Sequence, residues 1–301
     1  MKVFLTGGTG YIGGAVLEKL IANKHEVTVL SRTEEKAQKA KELGAKIILG
    51  DITETEKLKE LATGYDAIIH TAFAFLQEGA DKVNLQVMQA LIDAGKKNEK
   101  PCIAVFTSSL WALGNTEGEE IADEDTTSHD PVGLFLWRRE HEKIALEQAN
   151  DNFKVAILRP GWVYGKKGGF VSFYWNVCEK EKTVYYLGDG NGLFCTIHVD
   201  DIADLFVTII EKKATGIFHG IDGKPNKVID IANISADILG ISKENIKSLP
   251  LQDAANKFGP LAFGMSVFQR AIAKRSLELG WKPTRPSFPE SAKSAYDELK
   301  K

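Results

Sequence analysis

The stretch Thr6-Gly7-Gly8-Thr9-Gly10-Tyr11-Ile12-Gly13 constrains this chain more than any other. It follows a short apolar run, Lys2–Thr6, and leads into an amphipathic pattern over Tyr11–Ala22. In that context the glycines at positions 7, 10 and 13 have separate tasks. The first permits a tight turn, the second lets backbone approach a pyrophosphate, and the third lets helix and strand pack closely. Unpaired N–H groups at the positive helix end then face the anion. Gly7, Thr9, Gly10, Tyr11, Ile12 and Gly13 are therefore the expected dinucleotide contacts.

The rest of the first 160 residues repeats the same rhythm. Strands are predicted at Lys2–Thr6, Glu26–Ser31, Lys46–Gly50, Ala67–Thr71, Ile103–Ser108 and Lys154–Leu158. These are continuous apolar runs, as strands covered on both faces require. Helices are predicted at Tyr11–Ala22, Thr33–Leu43 and Thr55–Ala62, near Gly79–Ala94, and near Gly133–Gln148. Thr33 suits an N-cap and Gly44 a helix stop. The alternation predicts an α/β protein of Rossmann type, a doubly wound parallel sheet with right-handed crossovers.

After Arg159-Pro160-Gly161 the rhythm changes. A Gly/Lys-rich loop, an aromatic helix over Phe170–Glu179, a strand at Cys195–Val199 and a helix through Ile210 follow. A further strand is expected at Gly216–Ile221, then helices near Val228–Leu239 and Val267–Leu279 and a tail helix. Residues 1–160 and 190–222 are assigned to the dinucleotide domain, and 161–189 and 223–301 to a smaller α/β substrate lobe.

Composition narrows the function. Hydrophobic residues make up 44%, charged residues 26%, and the net charge is −3. That balance gives no reason to expect nucleic acid or an anionic membrane as a partner. No apolar run is long enough to span a bilayer and no charged-then-apolar leader opens the chain, so a cytoplasmic protein is expected. Cys102, Cys178 and Cys195 are far apart and read as small buried hydrophobes. The histidines are scattered, and no metal site is expected.

The second strand ends in Ser31-Arg32, where an acid would accept from a ribose 2′-hydroxyl. A hydroxyl and a fixed cation suit a 2′-phosphate instead, which favours NADP(H) over NAD(H).

These residues resemble the extended short-chain dehydrogenase/reductase family, the NAD-dependent epimerase/dehydratase-like proteins. The opening turn is similar to the family's TGxxGxxG. Gly50-Asp51-Ile52 resembles its adenine-contacting element, and His70-Thr71-Ala72 its HxA turn beside the cofactor. Thr107-Ser108-Ser109, with Gly114 downstream, resembles the catalytic-serine strand. Arg159-Pro160 through Val163-Tyr164-Gly165 is similar to RPxxVYG, His198–Asp201 to HVDD, and Leu279–Pro283 to the terminal LGWKP. The resemblance adds Asp51, Ile52, Thr71, Ala72 and Pro160 to the cofactor contacts. By analogy it also implies a homodimer through the helices near 79–94 and 133–148.

One element of the family pattern is missing. Members carry Tyr-x-x-x-Lys on a helix after the serine, with the tyrosine moving the proton as hydride moves. Counting from Ser109 puts Leu134 in the tyrosine position and Arg138 in the lysine position. Neighbouring registers give Phe135 with Arg139, or Trp137 with His141. Arginine can hold ribose hydroxyls through its planar fork but cannot exchange protons near neutrality. Tyr296 and Lys300 have the right spacing but lie in the polar tail, far from the serine strand.

Ser109 is the expected oxygen-polarising residue, with Arg138 holding ribose. Tyr164, His141, His129 and His198 are candidate replacement acids. Trp111, Leu113, Trp162, Phe170, Phe173, Tyr174, Trp175 and Phe194 are expected around an apolar small-molecule pocket. The leading reading is an atypical NADP(H)-dependent oxidoreductase acting on a small apolar carbonyl or alcohol. A non-catalytic NADP(H)-responsive regulator is the alternative, and a nucleotide-sugar epimerase or dehydratase a weaker one.

Overall fold

A computed structural model of the protein describes residues 1–73, 79–118, 121–126 and 136–301, the side chains of residues 260 and 261 excepted. Six strands alternate with helices through the first half: β1 (Lys2–Thr6), β2 (Glu26–Ser31), β3 (Lys46–Leu49), β4 (Ala67–His70), β5 (Cys102–Thr107) and β6 (Phe153–Pro160). The helices between them are α1 (Tyr11–Ala22), α2 (Glu34–Glu42), α3 (Thr55–Leu61), α4 (Ala80–Lys96) and α5 (Leu136–Glu147). Thr33 caps α2, its Oγ1 accepting from the Lys36 N–H at 3.3 Å. Gly44 follows that helix at φ +96°, a conformation glycine adopts without strain. The expected helix near 133–148 begins, within the described residues, at Leu136.

The second half contains β7 (Trp162–Tyr164), α6 (Gly169–Glu181), β8 (Val184–Leu187), β9 (Leu193–Phe194), β10 (Thr196–His198), α7 (Val199–Lys212) and β11 (Gly216–Gly220). Then come β12 (Asn226–Lys227), α8 (Val228–Leu239), β13 (Ile246–Leu249), α9 (Leu251–Phe258), α10 (Lys274–Glu278) and α11 (Phe288–Lys300). The central sheet has seven parallel strands in the order β11-β6-β5-β4-β1-β2-β3. Strand order reverses at β1, whose Leu5 lies between Val29 of β2 and Ile69 of β4. In such sheets the crevice for a ligand opens at the carboxyl ends of the strands on either side of that switch.

Helices cover both faces. On one, Val16, Leu17 and Leu20 of α1 pack with Leu205, Phe206 and Ile209 of α7. On the other, Leu91 and Ile92 of α4 pack with Phe4, Ile68 and Phe153. Each such side chain contributes about 1.5–3 kcal/mol on burial. A third cluster joins α6, α8 and α11 in the smaller lobe, with Trp175 and Phe288 at its centre. The three cysteines are buried and unpaired. Among the described residues, no helix is long and apolar enough to cross a membrane.

The expected helix over Val267–Leu279 is mostly absent. Only Lys274–Glu278 is helical. The preceding residues run extended because other segments take their backbone groups: Gln269 N–H donates to Leu193, Ile272 N–H to Ala122, and Arg270 carbonyl accepts from Ala122. Ala271, Ala273 and Trp281 thereby pack in the core of the large sheet rather than in the smaller lobe.

Candidate functional site

The glycine turn leaves β1 at the switch point. Gly7 has φ +77°, and a Cβ there would lie 2.5 Å from the Ala72 backbone nitrogen. A Cβ on Gly13 would lie 2.1 Å from the Gly7 carbonyl oxygen. Thr71 seals the crossing by donating from its hydroxyl to the Thr6 carbonyl at 2.8 Å. The α1 N-cap is Gly10, and no side chain makes a capping hydrogen bond there. First-turn N–H groups have no carbonyl behind them in the helix. Thr9 and Gly10 are exposed at the turn's tip. This glycine-walled cradle fits a pyrophosphate.

A cavity of about 280 Å³ adjoins the turn. It brings together Tyr11, Ile12, Thr71, Ala72, Pro160, Ser109 and Arg138, as the sequence reading expects. Ser109 is extended and caps the short turn Leu110–Leu113, its Oγ accepting from the Trp111 N–H at 3.2 Å. Its own proton finds no acceptor among the described residues. The neighbouring Ser108 Oγ is buried without a hydrogen-bond partner among those residues.

Arg138 reaches the cavity from α5 and is 7% exposed. Its Nη1 lies 3.5 Å from the Thr107 carbonyl, and its guanidinium stacks on Phe73 and Trp137, 4.2 and 5.1 Å from the ring centroids. Burial lowers its pKa to about 10, with Glu142 opposing the shift. The group therefore remains a cation at neutral pH. One turn later on α5, Glu142 accepts from Arg159 Nε at 3.0 Å and from its Nη2 at 2.5 Å. This buried fork fixes α5 against β6, and with it the placement of Arg138.

The chain has seven tyrosines, all in described segments, and Tyr11 alone lines this cavity. Its hydroxyl donates to the Gly165 carbonyl at 2.8 Å. Burial, with Asp200 and Glu298 nearby, raises its pKa, so it is a poor acid. Tyr164 does not reach the site, which corrects its candidacy. Its hydroxyl donates to the Pro286 carbonyl at 3.0 Å, and its ring packs edge-on against His198 and Phe288. Burial pushes its pKa up to about 12.

Of the other candidate acids, His198 and His141 also lie off the cavity wall. His198 accepts from the Asp200 N–H at 3.1 Å and is a packing residue. The His141 ring is tilted against Trp137, centroids 4.8 Å apart, and lines a smaller cavity that shares Phe73, Ser108 and Arg138 with the main one. Burial and the Arg138 charge lower its pKa. His129, Leu134 and Phe135 lie outside the described residues. Tyr296 donates to Glu179 at 2.8 Å in the smaller lobe, away from Ser109.

At the other end of the crevice, Ser31 and Arg32 follow β2. Ser31 is buried and donates to the Thr33 carbonyl at 2.9 Å, so its hydroxyl proton is already committed. Arg32 is exposed and is the accessible cation there. Asp51 accepts from the Thr53 N–H and hydroxyl at 2.9 and 2.8 Å. Those bonds, with help from Arg32, hold its carboxyl below the usual range. Ile52 follows it, half-buried against the core.

The apolar residues divide. Trp111, Trp162 and Phe170 line the main cavity. Tyr174 and Phe194 line an adjoining chamber instead. Leu113 and Trp175 are core residues, and Phe173 is 45% exposed. Phe73 and Gln269 are among the wall residues that escaped the sequence reading. Phe73 covers Arg138, and Gln269 donates from Nε2 to the Leu110 and Gly114 carbonyls at 2.7 and 3.2 Å, fastening the Ser109 turn.

Comparison with known proteins gives the family and the fold. The family model "NAD dependent epimerase/dehydratase family" matches residues 3–220. An uncharacterized protein of Saccharomyces cerevisiae is 32% identical, covering 98% of this chain and 99% of its own. The sterol-4-alpha-carboxylate 3-dehydrogenase (decarboxylating) of Dictyostelium discoideum is 26% identical over 74% of this chain and 72% of its own. The human epimerase family protein SDR39U1, solved with NADPH, superposes with a TM-score of 0.78 at 23% identity, covering 99% of both chains. That likeness concerns the fold. On the sequence match and the architecture together, the chain belongs to the NAD dependent epimerase/dehydratase family.

Proposed function

We propose that the chain is an atypical NADP(H)-dependent oxidoreductase that acts on an apolar carbonyl or alcohol without a phenolic acid. One observation carries the reading: Ser109 and Arg138 share a cavity wall with Tyr11, Ile12, Thr71 and Ala72 of the dinucleotide cradle. When bound, the nicotinamide supplies or accepts the hydride. The glycine turn holds the pyrophosphate, and Arg32 faces the 2′-phosphate. Arg138 holds ribose hydroxyls and contributes positive potential. The Ser109 hydroxyl donates to the carbonyl oxygen as charge develops on it, a role worth about 10²–10³ in rate. Water supplies the final proton, so the chain gives up the ~10²–10⁴ that a positioned acid contributes.

The apolar walls support the substrate class, as does similarity to a relative named for a sterol carboxylate. Arg138 is the one cation on the wall among the described residues, which fits a nucleotide-sugar diphosphate poorly. A regulatory protein that reads the NADP(H) redox state is the second reading, favoured by the committed hydroxyl of Tyr11. NADPH oxidation against a panel of carbonyl compounds tests the first reading. Turnover that stays at the Ser109→Ala level with every compound, despite tight NADPH binding, refutes it. Equal affinity for NADP⁺ and NADPH refutes the second, because a ligand pair shifts a state only by its affinity difference.

A further inference from the structure

Beside the main cavity lies a second chamber in the smaller lobe, sharing Trp162 and Phe170 with it as a common wall. It is small, about 30 Å³ against about 280 Å³ for the main cavity. Phe194 stacks on Trp162 at 4.5 Å, and Phe170 meets the same indole edge-on at 4.6 Å. Behind them stand Val228 and Ile231 of α8, with Met265, a flexible side chain that adapts to irregular shapes.

The hydroxyls on the chamber wall are all committed elsewhere. Thr196 donates to Asp222 at 2.7 Å, Tyr174 to the Tyr185 carbonyl at 2.7 Å, and Tyr185 to Glu181 at 2.6 Å. A polar substituent entering here would lose its water and find no partner, a loss that opposes binding. Hydrocarbon would meet only ring faces and methyl groups.

Building on the oxidoreductase reading, we propose that this chamber receives the hydrocarbon tail of the substrate, past a partition formed by Trp162 and Phe170. The substrate is then an alkyl ketone, or the corresponding alcohol, with its oxygen at Ser109 and its chain directed toward α8. Rotation of the Phe170 ring, at the first turn of α6, joins the two spaces. Chain length, more than ring substitution, sets the preference.

Calorimetric titration of methyl ketones, from butanone to undecanone, into the NADPH-saturated full chain tests this. Affinity should rise about fourfold for each added methylene until the chamber is filled, then level off. In Ile231→Phe the levelling should come at a shorter chain, and in Ile231→Ala at a longer one. If the phenylalanine variant does not fold, the alanine variant against the wild type still decides. Affinity independent of chain length, the same levelling point in all folded proteins, or no ketone binding at all overturns the proposal. Ketones that bind with the expected slope but are never reduced support the chamber while refuting the oxidoreductase reading. The two failures are therefore distinguishable.

Discussion

The guanidinium carbon of Arg138 lies 4.2 Å from the centroid of the Phe73 ring, on the wall of the cavity that Ser109 also lines. A cation on an aromatic face keeps its charge and orientation while losing much of its water. With a pKa lowered only to about 10, it stays protonated at neutral pH, a state suited to a donor fork and not to an acid. Arg138→Met should weaken NADPH binding by about 10–100-fold, the range for a lost charge-assisted hydrogen bond. Arg138→Lys should recover part of that loss. Calorimetry on folded variants checks both, and unchanged affinity in Arg138→Met would remove the ribose-holding role.

Arg32 is the exposed cation at the far end of the crevice. Arg32→Ala should reduce NADPH affinity by about 10–100-fold while leaving NADH affinity nearly unchanged. A parallel loss for both dinucleotides would mean that Arg32 does not read the 2′-phosphate.

Ser109 should act in turnover and not in cofactor binding. Ser109→Ala is expected to lower kcat by about 10²–10³ with NADPH affinity intact. Because the same oxygen caps the Leu110–Leu113 turn, a small drop in Tm should accompany it. A variant with wild-type kcat would sink the assignment.

Glu142 and Arg159 form a buried fork between α5 and β6. Glu142→Ala leaves the arginine charge buried and alone, a change that costs about 3–5 kcal/mol. Denaturant unfolding measures it directly. A loss below about 1 kcal/mol would show the pair to be as weak as a surface contact.

Two buried histidines give stability a pH dependence. Burial, aided by the Arg138 charge, lowers His70 to about 4, and burial with Arg159 nearby lowers His219 to about 3. Both are neutral when folded, whereas the unfolded chain protonates them near the ordinary value of 6.5. Their contribution is complete above that value and is lost as pH falls from it toward the folded values. For His70 the loss approaches about 3 kcal/mol at the bottom of the window. His70→Gln should flatten the decline in unfolding midpoint across the weakly acidic range. An imidazole NMR titration showing His70 protonating near its ordinary value would contradict the account.

Much of this could be read from local pattern. The bounds of Lys2–Thr6, Glu26–Ser31, Tyr11–Ala22 and Val228–Leu239 coincide with the observed elements, because periodicity and turn chemistry there agree with the tertiary fold. Arg138 was legible from its spacing after Ser109. Gln269 and Phe73 were not, since their roles arise from contacts between distant segments. The Val267–Leu279 pattern misled because inter-segment hydrogen bonds took the backbone groups that a helix would have used. Tyr164 misled for a related reason: its hydroxyl partner, the Pro286 carbonyl, comes from the far end of the chain.

A crystal structure of the NADPH complex tests the central claim most directly. The account predicts the pyrophosphate over Gly10 and Tyr11, the nicotinamide ribose against Arg138, and the Ser109 hydroxyl facing the space beside nicotinamide C4. A tyrosine oxygen poised beside C4, or a dinucleotide bound outside the crevice, would contradict it.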